Sequence, residues 1–448
     1  MTADPSPGAL AGIEPAVRGH PCWGQWWSLS QSRLPHSQRS PAITLNRYLD
    51  VPAPRTVIDL ERALQVLVGR HEALRTTFAS SPGGLERLVW PVPAVSPETA
   101  EFADEQPCLE WLRRPFDVTS GWPLRVALVR RGGTGSRVGV AVHHTAADWH
   151  GMTILCRELG QLLTRSLDAG LLPPVGRQPT QIAAFEVSPE GASVDDAAVR
   201  YWTGHGAAVA EQQSRLSRRA TERLRQDGTQ DEPRMNVVRL ASRRAATRLR
   251  VVARGTSSAT VVLAAFATVL ADELGVGQTA VTMSVSNRHL TGGAGQTVCS
   301  LIQAGLAVVP TGSTAAFDQI VSGAWHAAAE GRGHAHYDEV RLASSMAPFL
   351  DPARYPPVPN VNFVPGWQLS VQDADPAREN ASSPGDEVNG AEPRLELVVT
   401  RPAPCASLYL HAGTRGADLV LELRAGDHLY SRQGCERLLR DLESRIAA

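Results

Sequence analysis

Two adjacent histidines followed closely by an aspartate are the residues of this sequence best suited to chemistry. His143 and His144 end an apolar run that begins at Val138, and Asp148 follows in the next few positions. Because side chains alternate across a β-strand, the two imidazoles should point to opposite faces, and only one can face a given cavity. Asp148 falls in the loop before the next helix, where catalytic groups are commonly displayed. The spacing predicts general acid–base chemistry near neutral pH.

Two other interpretations of these residues stay open. Histidines in a strand are often half-buried side chains with satisfied hydrogen bonds and no catalytic role. Alternatively, one of the two histidines, Asp148 and His150 could supply three metal ligands. No HExxH motif and no second Cys/His cluster accompanies them, which weakens the metal interpretation. We therefore expect no metal site and no bound cofactor.

Alternating strand and helix patterns surround this segment. A segment rich in proline and glycine at 170–195 is interpreted as a crossover between domains. The predicted fold class is α+β, in two layered domains of about 200 residues each. Helices are predicted at 57–75, 152–163, 259–274, 315–329 and 433–446, and strands at 43–51, 124–130, 138–144, 279–286, 301–309, 395–400, 407–413 and 419–424.

Composition excludes several functional classes. The 448 residues carry 44 basic and 45 acidic side chains, and every basic one is arginine. A net charge of −1 argues against a nucleic-acid partner bound by broad phosphate neutralisation. The absence of lysine excludes a P-loop lysine and a pyridoxal Schiff base.

Cysteine usage and hydropathy bear on location. The six cysteines include no CxxC pair and are interpreted as buried free thiols of a cytosolic protein. The N-terminus lacks the basic and apolar regions of a signal peptide, and no apolar stretch reaches the roughly 18 residues that span a bilayer. We expect a cytoplasmic protein with no membrane association.

Several segments, in the same order, resemble motifs of the condensation domains of nonribosomal peptide synthetases and their acyltransferase relatives. Residues 143–148 have the HHxxxD form, and RHEALRTTF at 70–78 is close to the RHExLRTxF of that family. The weaker matches are residues 28–34, which resemble SxxQxRL, and residues 115–125, which resemble PFDL…PLxR. A Tyr-Trp pair at 201–202 and an Asn-Arg turn at 286–288 also resemble family motifs. The resemblance covers roughly residues 20–448.

The resemblance implies two chloramphenicol-acetyltransferase-like domains in a V-shaped pseudo-dimer with a tunnel between them. The N-terminal domain, which carries HHxxxD, is then expected at 20–180 and the C-terminal domain at 181–448. Composition predicts a flexible leader at 1–19, which is rich in Pro, Gly and Ala, and a mobile insertion at the polar, turn-rich residues 368–393. Donor and acceptor would reach the site from opposite ends, each on the phosphopantetheine arm of a carrier protein.

The resemblance also implies a role for each motif residue. The second histidine, His144, faces the tunnel as general base or positioning group, and His143 supports it. Asp148 is structural and pairs with Arg288 of the second domain, which holds the two halves together.

The sequence departs from the family pattern directly after Asp148. The family usually has Gly, an aromatic residue and Ser, whereas this chain has Trp149, His150 and Gly151. We expect these residues at the substrate tunnel, where Trp149 either narrows access or packs into the core. For His150 a surface position is favoured over a second polar group in the site.

The function implied is that of a stand-alone condensation enzyme, expected to be a monomer. It would join an acyl or aminoacyl thioester on an acyl or peptidyl carrier protein to a small amine or alcohol, making an amide or ester in specialised-metabolite biosynthesis. Arginine-rich runs at 215–225 and 239–254 are either solvated helix faces or docking surfaces for an acidic carrier. Two alternatives remain: a non-catalytic module that recruits carrier or tailoring proteins, and a coenzyme A-dependent O-acyltransferase.

Overall fold

The computed structural model describes residues 12–32, 43–52, 54–82, 84–131, 135–165, 167–227, 234–289, 293–312, 315–350, 358–364, 393–402 and 408–448. They form two compact units. Unit 1 contains the described residues up to Ala192 together with Ser286–Ile302, and unit 2 contains Ser193–Val285 and the described residues from Gln303 onward. The mixture of helices and sheets confirms the predicted α+β class.

Unit 1 carries the HHxxxD segment. Its strands are β1 (Val17–Gly19), β2 (Thr44–Val51), β3 (Thr76–Ser81), β4 (Gly84–Val89), β5 (Glu98–Phe102), β6 (Leu124–Arg131) and β7 (Gly135–His143). Its helices are α1 (Trp26–Ser32), α2 (Val57–Arg70), α3 (Glu105–Leu112), α4 (Trp149–Thr164) and α5 (Pro179–Glu186). Among the described residues, the strands form one sheet in the order β2-β7-β6-β5 and another in the order β1-β4-β3.

The two faces of β7 contact different apolar clusters. Val138, Val140 and Val142 pack in a cluster that includes residues of α2 and α4. Ala141, on the other face, packs in a cluster with Phe116. Because the faces alternate at every residue, the two histidines at the end of this strand enter different surroundings, as the strand pattern predicts.

The segment at 170–195, interpreted from the sequence as a crossover between domains, contains two helix starts, and the division between the two units, after Ala192, falls within it. Helix α5 begins at Pro179, and α6 (Pro189–Gly204) begins at Pro189. A proline fits the first position of a helix because its missing N–H would have no partner there. Both prolines therefore start helices rather than interrupt the structure.

The division into units differs from the predicted domain boundary after residue 180. The amide of Thr180 donates to Glu72 at 3.1 Å, and this contact ties α5 to unit 1. Ser286–Ile302, assigned by the sequence to the second domain, also belongs to unit 1. Val17–Gly19, within the predicted leader, pair with β4, and residues 1–11 lie outside the described part. Of the predicted insertion at 368–393, only residue 393 is described.

Unit 2 is built around a single sheet in the part of the chain that the structure describes. Its strands are β8 (Arg234–Ser242), β9 (Gln278–Ser286), β10 (Ile302–Pro310), β11 (Asn360–Val364), β12 (Arg394–Pro402), β13 (Leu408–Arg415) and β14 (Asp418–Gly426), in the order β10-β9-β11-β13-β14-β8-β12. Its further helices are α7 (Gly206–Asp227), α8 (Arg243–Val252), α9 (Ser258–Leu274), α10 (Phe317–Gly333), α11 (Glu339–Met346) and α12 (Arg432–Ala447). Helix α9 is almost entirely buried in its core.

Within the described residues, no individual helix has the length and apolar character to cross a membrane. Only the pair Arg243–Gly255 and Ser258–Leu274, bent by 110°, meets those two criteria jointly. The cysteines in the described part, Cys22, Cys108, Cys156, Cys299 and Cys435, are buried free thiols as predicted, and Cys405 lies outside it.

Candidate active site

His144 directly follows β7, and its ring has defined neighbours on two sides. Its Nδ1 lies 3.3 Å from Oγ of Ser300. The ring of Trp27 meets the imidazole edge to face, with centroids 5.7 Å apart and an interplanar angle of 75°. Among the described residues, none forms a hydrogen bond with Nε2 of His144, and this nitrogen is not buried. His144 therefore presents Nε2 as its free nitrogen.

The surroundings of His144 favour its neutral form. Burial lowers the pKa of the imidazole below its usual value of 6.5, and the negative charge of Asp148 opposes this effect only in part. A neutral imidazole has a lone pair at neutral pH and can accept a proton. His144 thus has the protonation state that a general base needs.

His143 has a different environment. Its side chain is fully buried, and the ring packs edge to face against Phe116 with centroids 6.1 Å apart. Its Nδ1 accepts the backbone N–H of Thr145 at 3.2 Å, so this nitrogen carries no proton. The interpretation as a core histidine with satisfied hydrogen bonds fits His143, which stabilises the turn that follows β7.

A buried glutamine from the N-terminal segment holds the same turn. Gln25 is 1% exposed, and its Nε2 donates to the carbonyl of Thr145 at 2.9 Å. Its Oε1 accepts the backbone N–H of Cys22 at 2.9 Å. The sequence analysis missed Gln25, because it belongs to none of the matched motifs.

Asp148 is buried and makes structural contacts with both carboxylate oxygens. One oxygen accepts the N–H of Gly151 at 2.8 Å and caps the N-terminus of α4. The other accepts the backbone N–H of Leu301 at 3.1 Å and a guanidinium N–H of Arg288 at 2.5 Å. Such a fully engaged carboxylate is suited to holding structure rather than to moving protons.

Arg288 extends this network along Ser286–Ile302. Its second terminal nitrogen donates to the carbonyls of Thr297 and Cys299, at 3.1 and 3.3 Å. The ion pair with Asp148 lies within unit 1, because Ser286–Ile302 belongs to that unit. The expectation that the pair joins two domains is thereby corrected: it attaches a segment of unit 1 to the start of α4.

The three residues after Asp148 are placed differently from one another. Trp149 is 39% exposed, with the guanidinium of Arg47 5.6 Å from its ring centroid, so it does not pack into the core. His150 is exposed, and its Nε2 lies 3.0 Å from the carbonyl of Gly295. Gly151 is buried, and a Cβ there would approach Ala147 to 3.3 Å. The structure thus separates these residues between surface and interior.

The metal interpretation finds no support in this geometry. Within the described residues, no three His, Cys, Asp or Glu side chains gather to hold a metal ion. The carboxylate of Asp148 is occupied by Arg288 and backbone amides, and the imidazole of His150 faces a carbonyl.

The RHE motif has a structural role that the sequence analysis did not assign. His71 Nε2 and Arg70 Nε each lie 3.0 Å from the carboxylate of Glu158, on the buried side of α4. Burial alone raises the pKa of Glu158, but the hydrogen bonds from His71 and Arg70 outweigh it and hold that pKa below its usual value. This contact fixes α4, whose first turn is capped by Asp148.

Comparison with known proteins identifies the family to which this chain belongs. A sequence profile of the condensation domain matches residues 37–320. Cyclosporin synthetase of Tolypocladium inflatum is 30% identical over 195 residues, which are 40% of this chain and 1% of that protein. The chain therefore spans only a small part of this curated relative.

Solved structures show the same fold. One is the structure that describes condensation domain-mediated chain release from the enacyloxin polyketide synthase, which aligns with a TM-score of 0.68 at 19% sequence identity. That alignment covers 100% of this chain and 84% of the other. The complex of the X-domain and OxyB from teicoplanin biosynthesis aligns with a TM-score of 0.66 at 18% sequence identity. That alignment covers 97% of this chain and 95% of the other. This chain belongs to the condensation-domain family.

Proposed function

We propose that the chain transfers an acyl or aminoacyl group from a carrier-bound thioester to an amine or hydroxyl acceptor, forming an amide or an ester in nonribosomal peptide or related biosynthesis. The observation that carries this proposal is the position of His144, with Nδ1 beside Ser300, Nε2 free and surroundings whose burial lowers the pKa of the imidazole. The condensation-domain profile supports the class of reaction.

The proposed step needs a single proton acceptor. The acceptor nitrogen or oxygen attacks the thioester carbonyl carbon, and a C–N or C–O bond forms while Nε2 of His144 takes the proton of the nucleophile. The C–S bond then breaks, and the imidazolium returns that proton to the leaving thiolate. Because the thioester is already activated, holding the two substrates in contact removes much of the barrier. The general base adds about 10²–10⁴-fold.

Carrier proteins are the proposed partners of this reaction. The family matches come from synthetases, and the chain spans only a small part of the one compared above. The stand-alone and monomeric states stay predictions, as does the absence of a bound cofactor.

A non-catalytic recruiting module is the second candidate function. The exposed Trp149 in place of the usual Gly favours it, as does the fold similarity to the X-domain seen in complex with OxyB. The neutral His144 with a free Nε2 opposes it, because a recruiting surface has no need of a base.

One experiment separates these functions. The same acyl and aminoacyl groups are presented on carrier proteins and on coenzyme A, with a panel of small amines and alcohols, and products are measured by mass spectrometry. We expect product from carrier-bound donors, and its loss in His144→Ala. Equal kcat/KM with coenzyme A thioesters would favour the O-acyltransferase alternative. Carrier binding without product from any donor would favour the recruiting module.

The pH profile should report the lowered pKa of His144. As the pH falls through that pKa, the imidazole is protonated and loses its ability to accept a proton, so kcat/KM should fall on the acid side. We expect this fall below pH 6.5, the usual value for histidine. The measurement is kcat/KM between about pH 5 and 8, the range in which histidine titrates. An acid limb above pH 6.5 would contradict the environment described for His144.

A further inference from the structure

Trp27 is an exposed aromatic side chain that contacts the proposed base. Its ring meets the imidazole of His144 edge to face, with centroids 5.7 Å apart. Trp27 is 41% exposed, whereas Trp23 in the same segment is 7% exposed and Trp26 is half-buried. The tryptophan that leaves apolar surface uncovered is therefore the one beside His144.

The segment that carries Trp27 is anchored on both sides of it. Two residues earlier, the amide of Gln25 donates to the turn that follows β7 at 2.9 Å. Two residues later, Leu29 is buried in an apolar cluster. A Cβ on Gly24 would lie 2.7 Å from the carbonyl oxygen of Ser300, so these two backbones meet in a contact that only glycine permits. An anchored backbone thus presents the indole ring at a fixed place beside the base.

The substrate group that comes closest to this ring is the acceptor, if His144 acts as proposed. The base takes its proton from the attacking nitrogen or oxygen, so that atom must lie within hydrogen-bond distance of Nε2. The indole and the imidazole are in contact. The part of the acceptor that can reach Trp27 is therefore only a few bonds from its nucleophilic atom.

An exposed indole favours an aromatic ring over other apolar groups. Two aromatic rings attract each other beyond the effect of the area that they bury, at centroid distances of about 4.5–7 Å, whereas a saturated group gains from buried area alone. An ammonium group is also attracted to an indole. The motif carboxylate of Asp148 is already paired with Arg288, however, and adds no free negative charge to hold a cation there.

We propose that Trp27 is a specificity-determining residue that stacks against an aromatic ring of the acceptor, and that the acceptor is an amine or alcohol whose aryl group is a few bonds from the nucleophilic atom. That the ring belongs to the acceptor rests on the proposed function. The capacity of Trp27 to bind an aromatic ring beside His144 does not, because binding needs neither a donor nor turnover.

The first test measures binding to the full chain without a donor. The probes are 2-phenylethanol and 2-cyclohexylethanol, and the readout is the NMR shift of the imidazole C–H signals of His144, which His144→Gln identifies. We expect 2-phenylethanol to bind more tightly. Its dissociation constant should rise about 2- to 10-fold in Trp27→Leu, which keeps apolar surface but no ring, and about 10-fold or more in Trp27→Ala.

The controls separate stacking from other effects. Trp27→Phe should retain the preference for the aromatic probe. Trp325→Ala removes a tryptophan of similar exposure, 43%, from unit 2 and should leave binding unchanged. Equal affinity for the two probes, or equal losses in the Trp27 and Trp325 variants, would overturn the proposal whether or not the chain is an acyltransferase. Binding of 2-phenylethylamine without binding of 2-phenylethanol would overturn it as well, because Trp27 would then hold an ammonium group.

The second test is kinetic and uses 2-phenylethylamine and 2-cyclohexylethylamine as acceptors. In Trp27→Leu we expect KM for the aromatic acceptor to rise with kcat retained, because stacking on a remote ring stabilises the ground state and the transition state alike. The ratio of kcat/KM between the two acceptors should then fall towards one. An equal fall in kcat for both acceptors, with that ratio unchanged, would show that Trp27 only positions His144. Ring binding in the first test without product from any acceptor would count against the proposed function and not against the ring-binding site.

Discussion

Replacing His144 with alanine should lower kcat by about two to four orders of magnitude while the fold is retained. The imidazole is the proposed proton acceptor, and its free Nε2 makes no contact that the fold requires among the described residues. The measurement is kcat for amide or ester formation, with the melting temperature recorded for each variant.

Two neighbouring histidines serve as controls for this substitution. His143→Ala should act mainly through stability, because its ring is buried and bonded to Thr145. His150→Ala, at an exposed position in the first turn of α4, should change kcat little. Equal loss of kcat in the His143 and His144 variants, with unchanged melting temperatures, would contradict the assignment of His144 as the base.

Removing either partner of the Asp148–Arg288 ion pair should reduce the free energy of unfolding by about 3–5 kcal/mol. Both side chains are less than 10% exposed, so the remaining charge would be left largely buried. Asp148→Ala also removes the cap of α4 and the acceptor for the N–H of Leu301. The double variant should lose less than the sum of the single ones, because neither charge is then left alone. Denaturant unfolding of the wild type, the two single variants and the double variant measures these free energies of unfolding.

A matched control is available on the surface. Arg243 and Asp418 form an ion pair at 3.1 Å whose side chains are 57% and 37% exposed. The two single variants and the double variant of this surface pair should give a coupling free energy of about 0–1 kcal/mol. Strict additivity at Asp148 and Arg288, or a coupling no larger than that of the surface pair, would remove the structural role assigned to Asp148.

The strand pattern around the histidines was accessible from the sequence. A run of valines at every second position identifies a strand with two apolar faces, and the alternation separates His143 from His144 without further information. The apolar helix predicted at 259–274 was equally clear, because so long an apolar run is typical of a buried helix rather than a strand.

Other elements could not be read from local pattern. Pro179 and Pro189 lie in the segment interpreted as a crossover, and the sequence did not predict that each starts a helix, because a proline favours a turn and a helix start alike. The observed units differ from the predicted division for another reason: Ser286–Ile302 belongs to unit 1 through contacts with residues more than a hundred positions away.

Residue types and spacing were therefore sufficient to predict the family resemblance, the strand that carries the histidines and the residue that we propose as the base. Only the tertiary structure decided which groups hold that base: Ser300 at its Nδ1, Trp27 against its ring and Gln25 beneath the following turn. The physical reason is the range of the interactions. Strand alternation and helix capping are set by residues a few positions apart. Each contact around His144 instead depends on how segments distant in the sequence pack together, so a local sequence pattern does not predict it.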